Sequence, residues 1–322
     1  MSNSPVAIVT GGAQGLGAAI CIELLKTGYK VCIANIQEEK AKEFMEEQQP
    51  VYGSENIIAV LCDVTKEYDF KKVFDLTLEK FHRVDVLVNN AGILNEYEPQ
   101  KVIDVNLVGT IFGCRAALNY MGKSNGGKGG FVANIASIAG LLPESALPVY
   151  AASKHGMVGL TRSYGRPYHF KKEGITFAAL CPSFINTDLL RTAVTLIQGA
   201  DFTKRTDLMS PEYVAKAVLK LLEDKINGST LILPYHLEKE GILFAALCPS
   251  YTDTDLIKST KTNTLVPGLD ISNRDLCSPE VMAKGVMKLL EDRINGSTLL
   301  VSKSLGSRYI GFQEEFKNIP LE

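Results

Sequence analysis

The sequence has little of what marks metal-binding or disulfide-rich proteins. None of its 322 residues is tryptophan, only four are histidine, and the seven cysteines form no C-x-x-C pair. The cysteines are odd in number and most lie in apolar runs, so we expect buried, reduced thiols rather than metal ligands or disulfides. No metal site is predicted.

The sequence also lacks an excess of charge and a long apolar run. It has 34 basic and 36 acidic residues, so there is no electrostatic reason to expect nucleic acid or an anionic membrane surface as a partner. No apolar run reaches about 18 residues. The polar start, Met1–Pro5, has no basic segment followed by an apolar one. We therefore expect no membrane span and a cytoplasmic location.

Strand and helix patterns alternate over the first two thirds of the chain. Strands are predicted at Val6–Thr10, Lys30–Ile36, Ile57–Val64, Val84–Asn89, Phe131–Ala136 and Phe177–Ser183, and helices at Gly15–Leu25, Glu38–Gln48, Lys66–His82, Pro99–Met121 and Val149–Lys172. This alternation predicts an α/β fold with a doubly wound parallel sheet, a Rossmann fold, and helices on both faces.

The last third of the chain repeats itself. Pro167–Leu233 and Pro234–Val301 match at an offset of 67 residues at the start and 68 at the end. Each copy contains a strand, a variable loop, a helix and a second strand, and two copies are too few for a solenoid. Subtracting one copy leaves about 254 residues, the length of one doubly wound domain. We therefore predict a single domain over residues 1–233, with a duplicated C-terminal segment and tail, residues 234–322, appended to it.

A glycine-rich segment, Thr10-Gly-Gly-Ala-Gln-Gly-Leu-Gly17, joins the first predicted strand to the first helix. Gly11 allows a sharp turn, Gly15 a close approach of the backbone to a pyrophosphate, and Gly17 close packing of the helix on the sheet. Tight turns alone produce such clusters. The strand before it and the helix after it favour nucleotide binding.

The end of the second strand bears on the choice of nucleotide. Asn35 lies 18 residues after Gly17, where an acidic side chain usually holds the adenosine ribose. Asn35 can make those hydrogen bonds, although it lacks the charge that repels a 2′-phosphate. The glycine loop contains no Arg or Lys, and Gln37-Glu-Glu39 follows. NAD is therefore favoured, and NADP stays open.

Tyr-x-x-x-Lys places a phenol and an ammonium on one helix face, one turn apart. Five such pairs occur in the chain, so the pattern alone decides nothing. Tyr150 and Lys154 are the pair that follows a predicted strand ending in Asn134-Ile-Ala-Ser137 and begins the long helix beside the strands of the glycine loop.

Together these motifs resemble the short-chain dehydrogenase/reductase family in order and spacing. The matching positions are Thr10–Gly17, Cys62-Asp-Val64, Asn89-Asn-Ala-Gly92, Asn106, Ser137 and Tyr150-x-x-x-Lys154. Within the family the chain most resembles the NAD-dependent 15-hydroxyprostaglandin dehydrogenase group and its insect relatives. It departs from that group at Leu147, where the group has glutamine, and from the usual family pattern at Ser183, where most members have glycine.

The resemblance implies four catalytic residues. Tyr150 is expected to take the alcohol proton, while the Lys154 ammonium and the nicotinamide cation together favour the phenolate and Lys154 also holds the nicotinamide ribose. Ser137 is expected to hydrogen-bond the substrate oxygen, and Asn106 to anchor a water that relays protons to Lys154. The cofactor residues that it implies are Gly11, Gln14, Gly15, Leu16, Gly17, Asn35, Asp63, Val64, Asn90, Ala91, Gly92, Tyr150, Lys154, Pro182, Ile185 and Thr187.

The implied activity is oxidation of a secondary alcohol to a ketone with NAD, or the reverse. An apolar substrate is expected because the pocket residues would be Leu141, Leu142, Leu147, Phe184 and Ile185. The family resemblance also implies a homo-oligomer. The alternative is a catalytically weakened NAD-binding interaction protein in which the duplicated segment blocks the substrate loop.

Either copy of the repeat could supply the sixth strand. Copy one follows directly from the Tyr150 helix, whereas copy two would leave an excursion of about 67 residues, which costs roughly 2–3 kcal/mol more. Against copy one, it is copy two that precedes Val301–Gly306, which resembles the tail of the family. We expect copy one, with Phe177–Ser183, to complete the sheet.

Overall fold

The computed structural model describes residues 4–191 and 208–233, together with five short strands beyond residue 245. The chain divides into two compact units, Met1–Glu238 and Lys239–Glu322. Each unit is described by itself.

The first unit alternates strands and helices. Its strands are β1 (Val6–Thr10), β2 (Lys30–Asn35), β3 (Ile57–Leu61), β4 (Val86–Asn89), β5 (Gly130–Ile135), β6 (Ile175–Pro182) and β7 (Thr230–Leu233). Its helices are α1 (Gly15–Lys26), α2 (Glu38–Tyr52), α3 (Glu67–Phe81), α4 (Pro99–Ile103), α5 (Gly109–Met121), α6 (Pro148–Tyr164), α7 (Pro167–Glu173) and α8 (Pro211–Asp224). Short 3-10 turns lie at Ser54–Asn56, Lys123–Asn125 and Ile138–Gly140.

All seven strands form one parallel sheet in the order β3-β2-β1-β4-β5-β6-β7. The order runs one way from β1 to β3 and the other way from β4 to β7. It therefore reverses between β1 and β4, which pair as Val9 with Val88. The predicted doubly wound parallel sheet is confirmed.

Helices cover both faces of the sheet. Successive side chains of each strand point to opposite faces, so both sets of side chains are buried. Val9 and Ile33 belong to the core shared with α1 and α8, whereas their neighbours Ile8 and Cys32 belong to the core shared with α3 and α5. Continuous apolar strands, rather than alternating ones, are the sequence pattern of such a sheet. The described thiols at positions 21, 32, 62, 114 and 181 are free and buried, as expected.

The single helix predicted over Val149–Lys172 is wrong, because the structure breaks it into α6 and α7. Pro167 is the first residue of α7 and cannot donate the backbone hydrogen bond that would continue α6. Gly165 lies at the break, where a Cβ would collide with the backbone of Gly228. The break lets the chain turn back towards the loop before β7.

Pro99–Met121 is one continuous helical path of 23 residues, in which a π-helical turn at Asp104–Val108 joins α4 to α5. It is long and apolar enough to cross a membrane by composition alone. However, Cys114 and Met121 are buried in the core beneath the sheet, and Arg115 forms an ion pair with Glu67 of α3. These contacts are those of a core helix.

The sheet of the first unit takes both of its last strands from copy one of the repeat. Ile175–Pro182 pairs with β5 on one side and with β7 on the other, with Ala179 opposite Thr230. After β6, Ile185 forms an isolated parallel bridge with Met209. The sixth strand is therefore the one expected, although it begins two residues earlier.

The second unit contains β8 (Ala246–Pro249), β9 (Tyr251–Thr252), β10 (Leu276–Cys277), β11 (Thr298–Ser302) and β12 (Gly306–Tyr309). Ala246 lies opposite Thr298, and Thr252 opposite Cys277. These pairs occupy the repeat positions of Ala179 with Thr230 and of Ile185 with Met209. The second unit thus reproduces the strand register of copy one, and β12 adds to β11 in an antiparallel direction.

Substitutions at equivalent positions of the two copies test which copy completes the sheet. Phe177 is fully buried and its ring stacks on Tyr164 at 4.9 Å. Phe177→Ala should lower the free energy of unfolding of the first unit by about 3–5 kcal/mol, because it leaves a cavity beneath the sheet. Phe244→Ala changes the matching residue of copy two, which lies outside the described residues, and should leave the core nearly unchanged. Urea denaturation measures both, and a larger loss in Phe244→Ala would assign the sheet to copy two.

Candidate functional site

The site begins where the sheet reverses its strand order, at the carboxyl ends of β1 and β4. The Thr10 hydroxyl accepts hydrogen bonds from the backbone N–H groups of Asn90 and Ala91, both at 3.0 Å. The Asn90 amide donates in return to the carbonyls of Thr10 and Gly11, at 2.9 and 3.2 Å. Diverging loops at such a point leave a crevice in which α/β proteins bind ligands.

The glycine loop adopts the conformation for which its glycines were singled out. Gly11 and Gly15 have φ angles of +63° and +52°, in the left-handed region that favours glycine. A Cβ on Gly17 would collide with the carbonyl of Gly11. The loop therefore lies close against the first turn of α1, whose N–H groups have no partner within the helix and suit a phosphate.

One end of the crevice lies beside β2. Asn35 is buried, and its amide donates to the carbonyl of Gln37 at 3.1 Å. The glycine loop contains no basic residue, but Lys40 of α2 reaches it and donates to Oε1 of Gln14 at 2.6 Å. Lys40 is distant from the glycine loop in sequence, and the fold brings its ammonium group to the loop.

Three of the four predicted catalytic residues meet at the other end of the crevice. Tyr150 and Ser137 line the cleft there, and Ser137 is close enough to Tyr150 to influence its pKa. Lys154, 4% exposed, donates to the carbonyl of Ile135 at 2.8 Å, and its Nζ lies 5.6 Å from the centroid of the Tyr150 ring. One turn of α6 thus carries both groups, and the end of β5 supplies Ser137.

Burial dominates the electrostatics of this pair. It raises the pKa of Tyr150 to about 12, although the hydrogen bond with Ser137 opposes that shift. Burial also lowers the pKa of Lys154 to about 8. In the protein alone burial outweighs the other influences on Tyr150, and the expected lowering of its pKa by Lys154 together with a nicotinamide cation stays a prediction. The phenol stays neutral at pH 7 unless further positive charge lies near it.

Asn106 lies behind the wall of the crevice and does not line it. Its side chain accepts from the N–H of Ile93 at 2.8 Å and donates to the carbonyl of Ile93 at 2.9 Å and to the hydroxyl of Ser153 at 3.1 Å. A Cβ on Gly92 would lie 3.3 Å from Oδ1 of Asn106 and 3.7 Å from Nζ of Lys154. The described contacts of Asn106 hold the loop after β4, and its predicted water relay stays a prediction.

All the other predicted site residues line one cleft of about 510 Å³. They are Gly11, Gln14, Gly15, Leu16, Gly17, Asn35, Asp63, Val64, Asn90, Ala91, Gly92, Ser137, Tyr150, Lys154, Pro182, Ile185 and Thr187. Among them Thr187 approaches the glycine loop from the strand β6 side, where a Cβ on Gly15 would be 3.5 Å from its Cγ2. The cleft therefore runs unbroken from the glycine loop to Tyr150.

The substrate end differs partly from the prediction. Leu147, Phe184 and Ile185 line the cleft, whereas Leu142 is 57% exposed and Leu141 packs outside the cleft against the core. The cleft is also lined by residues that no sequence motif indicated, among them Leu94, Lys101, Val105, Glu144, Leu189 and Leu190. They belong to loops and a helix that no motif marks, so their place depends on how these segments fold over the sheet.

The comparison with protein families agrees with this geometry. Residues 5–196 match the family model described as short chain dehydrogenase. The chain belongs to the short-chain dehydrogenase family. Members of this family are oxidoreductases that use a nicotinamide cofactor. In the part of the chain that the structure describes, no group of three His, Cys, Asp or Glu residues could hold a metal ion.

Within the family, the chain is similar to several individual proteins. The 15-hydroxyprostaglandin dehydrogenases (NAD(+)) of Rattus norvegicus and Homo sapiens are each 35% identical over 243 residues, which cover 71% of this chain and 90% of the relative. Fat body protein 2 of Drosophila melanogaster is 27% identical over 242 residues, covering 72% of this chain and 93% of that protein.

Two solved structures share the fold. A short chain dehydrogenase from Bacillus anthracis has a TM-score of 0.62 and 27% identity, and the match covers 73% of this chain and 96% of that one. A variant of actinorhodin polyketide ketoreductase with NADPH has a TM-score of 0.65 and 26% identity, covering 73% of this chain and 97% of that one.

The buried ammonium of this short-chain dehydrogenase should make its stability depend on pH. The Lys154 pKa of about 8 in the folded chain lies below its ordinary 10.5. Between these values the unfolded chain binds more protons, so stability from this group rises with pH. Relative to Lys154→Met, the wild type should gain about 2 kcal/mol in free energy of unfolding between pH 7 and pH 9.5.

Urea denaturation at the two pH values measures this difference. Substitution of the exposed Lys128 by methionine is the matched control and should track the wild type. Equal pH dependence in wild type and Lys154→Met would show that Lys154 is not charged at a cost in the folded chain.

Proposed function

We propose that this protein is an NAD-dependent dehydrogenase that oxidises an apolar secondary alcohol to a ketone, or catalyses the reverse reaction. The observation that carries the proposal is a single cleft joining the glycine loop to Tyr150 and Ser137, with Lys154 buried beside them. Such a cleft places a dinucleotide site and an acid–base group within one binding space.

The protein's residues divide the work along the cleft. The glycine loop and the first turn of α1 would hold the pyrophosphate through backbone N–H groups. A nicotinamide cofactor held in this cleft would supply the hydride acceptor for the alcohol carbon. Tyr150 would remove the hydroxyl proton, and Ser137 would hydrogen-bond the same oxygen as its charge changes. The Lys154 ammonium, close to the Tyr150 ring, would favour the phenolate that this step requires together with the positive charge of an oxidised nicotinamide.

The proposal of NAD rests on the end of the cleft beside β2. Asn35 offers an amide to a ribose diol, and Glu38 and Glu39 add negative charge at the start of α2, which disfavours a 2′-phosphate. Lys40 acts in the opposite direction. Two of the relatives carry NAD(+) in their names, whereas one structural neighbour was solved with NADPH.

The proposal of an apolar substrate rests on the wall of the cleft near Tyr150. Leu94 and Leu147 are buried and pack together there, and Phe184 and Leu189, on the segment after β6, line the same cleft. In a substrate with a hydroxyl group next to an apolar chain, the hydroxyl would hydrogen-bond to Tyr150 and the chain would pack against this wall. Leu147 cannot make the polar contact that the glutamine of the resembling group could make, so prostaglandin itself is not proposed.

We also propose a single dehydrogenase domain over residues 1–233 with the duplicated segment, residues 234–322, appended to it. The equal strand register of the two copies supports a duplication, and relatives of 15-hydroxyprostaglandin dehydrogenase type match over 71% of the chain. The homo-oligomer and the cytoplasmic location remain predictions from the sequence.

Turnover with a panel of apolar secondary alcohols and NAD tests the proposed activity. NADH formation at 340 nm should be detectable in the wild type, and Tyr150→Phe should lower kcat at least about 1,000-fold because the general base is lost. Tyr168→Phe removes a hydroxyl from another Tyr-x-x-x-Lys pair, 69% exposed, and should keep wild-type kcat. If Tyr150→Phe retains wild-type turnover, the assigned base is wrong. A wild type that binds NADH yet oxidises no alcohol would refute the activity.

The cofactor preference is tested at Lys40. Titration with NADH and NADPH, followed by cofactor fluorescence, should show tighter binding of NADH in the wild type. Lys40→Ala should weaken NADPH binding about five-fold or more and change NADH binding less than two-fold, because it removes a cation beside Gln14. Lys42→Ala, whose ammonium pairs with Glu38 and Glu39, is the matched control. Tighter NADPH binding in the wild type would overturn the assignment of NAD.

A further inference from the structure

The helix that carries Tyr150 has no cap of its own. The residue before it is Leu147, which has no polar side chain, and its first residue is Pro148, which has no N–H group. The next two N–H groups, of Val149 and Tyr150, cannot bond within the helix. The start of α6 therefore needs acceptors from elsewhere in the fold.

Glu96 supplies both acceptors from the loop after β4. One carboxylate oxygen accepts from the N–H of Val149 at 3.0 Å and the other from the N–H of Tyr150 at 2.9 Å. Glu96 precedes these residues by 53 and 54 positions, so the contact joins two distant segments. An ionised acceptor at a helix N-terminus makes stronger hydrogen bonds than a neutral one and complements the helix dipole.

Further contacts tie the same loop to the same helix. Leu94 packs on Leu147, and Ile93 is bonded through both backbone groups to Asn106. Asn106 donates to the hydroxyl of Ser153, which donates to the carbonyl of Tyr150 at 2.7 Å. The backbone of Tyr150 is thus held at its N–H by Glu96 and at its carbonyl by Ser153.

We propose that Glu96 is a positioning residue for catalysis: its bidentate contact with the N–H groups of Val149 and Tyr150 fixes the first turn of α6 and thereby the Tyr150 hydroxyl relative to substrate. This inference rests on the proposed dehydrogenase function. It assigns Glu96 no contact with substrate or cofactor. Glu96 acts through the position of the Tyr150 hydroxyl. If that hydroxyl is displaced, the rate of proton transfer falls, but the binding of the dinucleotide is not weakened.

Glu96→Gln tests the proposal in the full-length protein. The variant keeps the size of the side chain and loses one of the two acceptors together with the charge. We expect kcat for the alcohol to fall at least about five-fold while the NADH dissociation constant changes less than two-fold. Amide hydrogen exchange at Val149 and Tyr150 should also become faster, because one N–H group loses its partner and the other keeps only a neutral acceptor.

Glu98→Gln is the matched control. Glu98 lies on the same loop and bonds to Asn95 at 2.6 Å and to Lys101 at 3.4 Å, so its loss should leave kcat and exchange at Tyr150 unchanged. Wild-type kcat in Glu96→Gln, or a fall in kcat matched by an equal loss of NADH affinity, overturns the positioning role. If the wild type oxidises no alcohol, the proposed function fails separately. In that case, unchanged hydrogen exchange at Val149 and Tyr150 in Glu96→Gln would still refute the role of Glu96 in fixing the first turn of α6.

Discussion

The hydroxyl of Thr10 is the contact on which the arrangement of the site depends. Thr10 is the last residue of β1, and its hydroxyl accepts hydrogen bonds from the two N–H groups that follow β4. The side-chain amide of Asn90 donates two hydrogen bonds to the carbonyls of Thr10 and Gly11. These bonds lie where the sheet reverses its strand order. The loop that would hold the pyrophosphate and the loop that reaches α6 are therefore fixed to one another by groups buried in the same rigid sheet.

The catalytic side chains of Tyr150 and Lys154 are buried, so their charged forms lose hydration by water. Lys154 and Tyr150 lie where burial favours the neutral form of each, so a charged Lys154 is held at a cost and the Tyr150 phenolate is disfavoured. The carbonyl of Ile135 partly offsets the cost for the ammonium, and Ser137 partly offsets the effect of burial on the phenolate. A site of this kind responds strongly to any added charge, because few water molecules remain to screen it.

Local sequence patterns could predict the sheet, the glycine loop and the Tyr150 helix, since strand runs, glycines and helical spacing are properties of short segments. They could not predict Lys40 at Gln14 or Glu96 at Tyr150, because these contacts join segments that only folding brings together. The break at Gly165 depended on a neighbour from the loop before β7. Leu141 and Leu142 failed as pocket residues because apolar character does not decide which way a loop faces.

The repeat gives the chain two segments with the same pairing preferences, and only one can occupy the place beside β5. Protein synthesis orders them in time. Copy one leaves the ribosome 67 residues ahead of copy two, roughly 3–13 s at ordinary elongation rates. Folding dominated by non-local strand pairing takes roughly milliseconds to seconds, so β6 can join the nascent sheet before its duplicate exists. The N-to-C direction of translation therefore reinforces the shorter connection in selecting copy one.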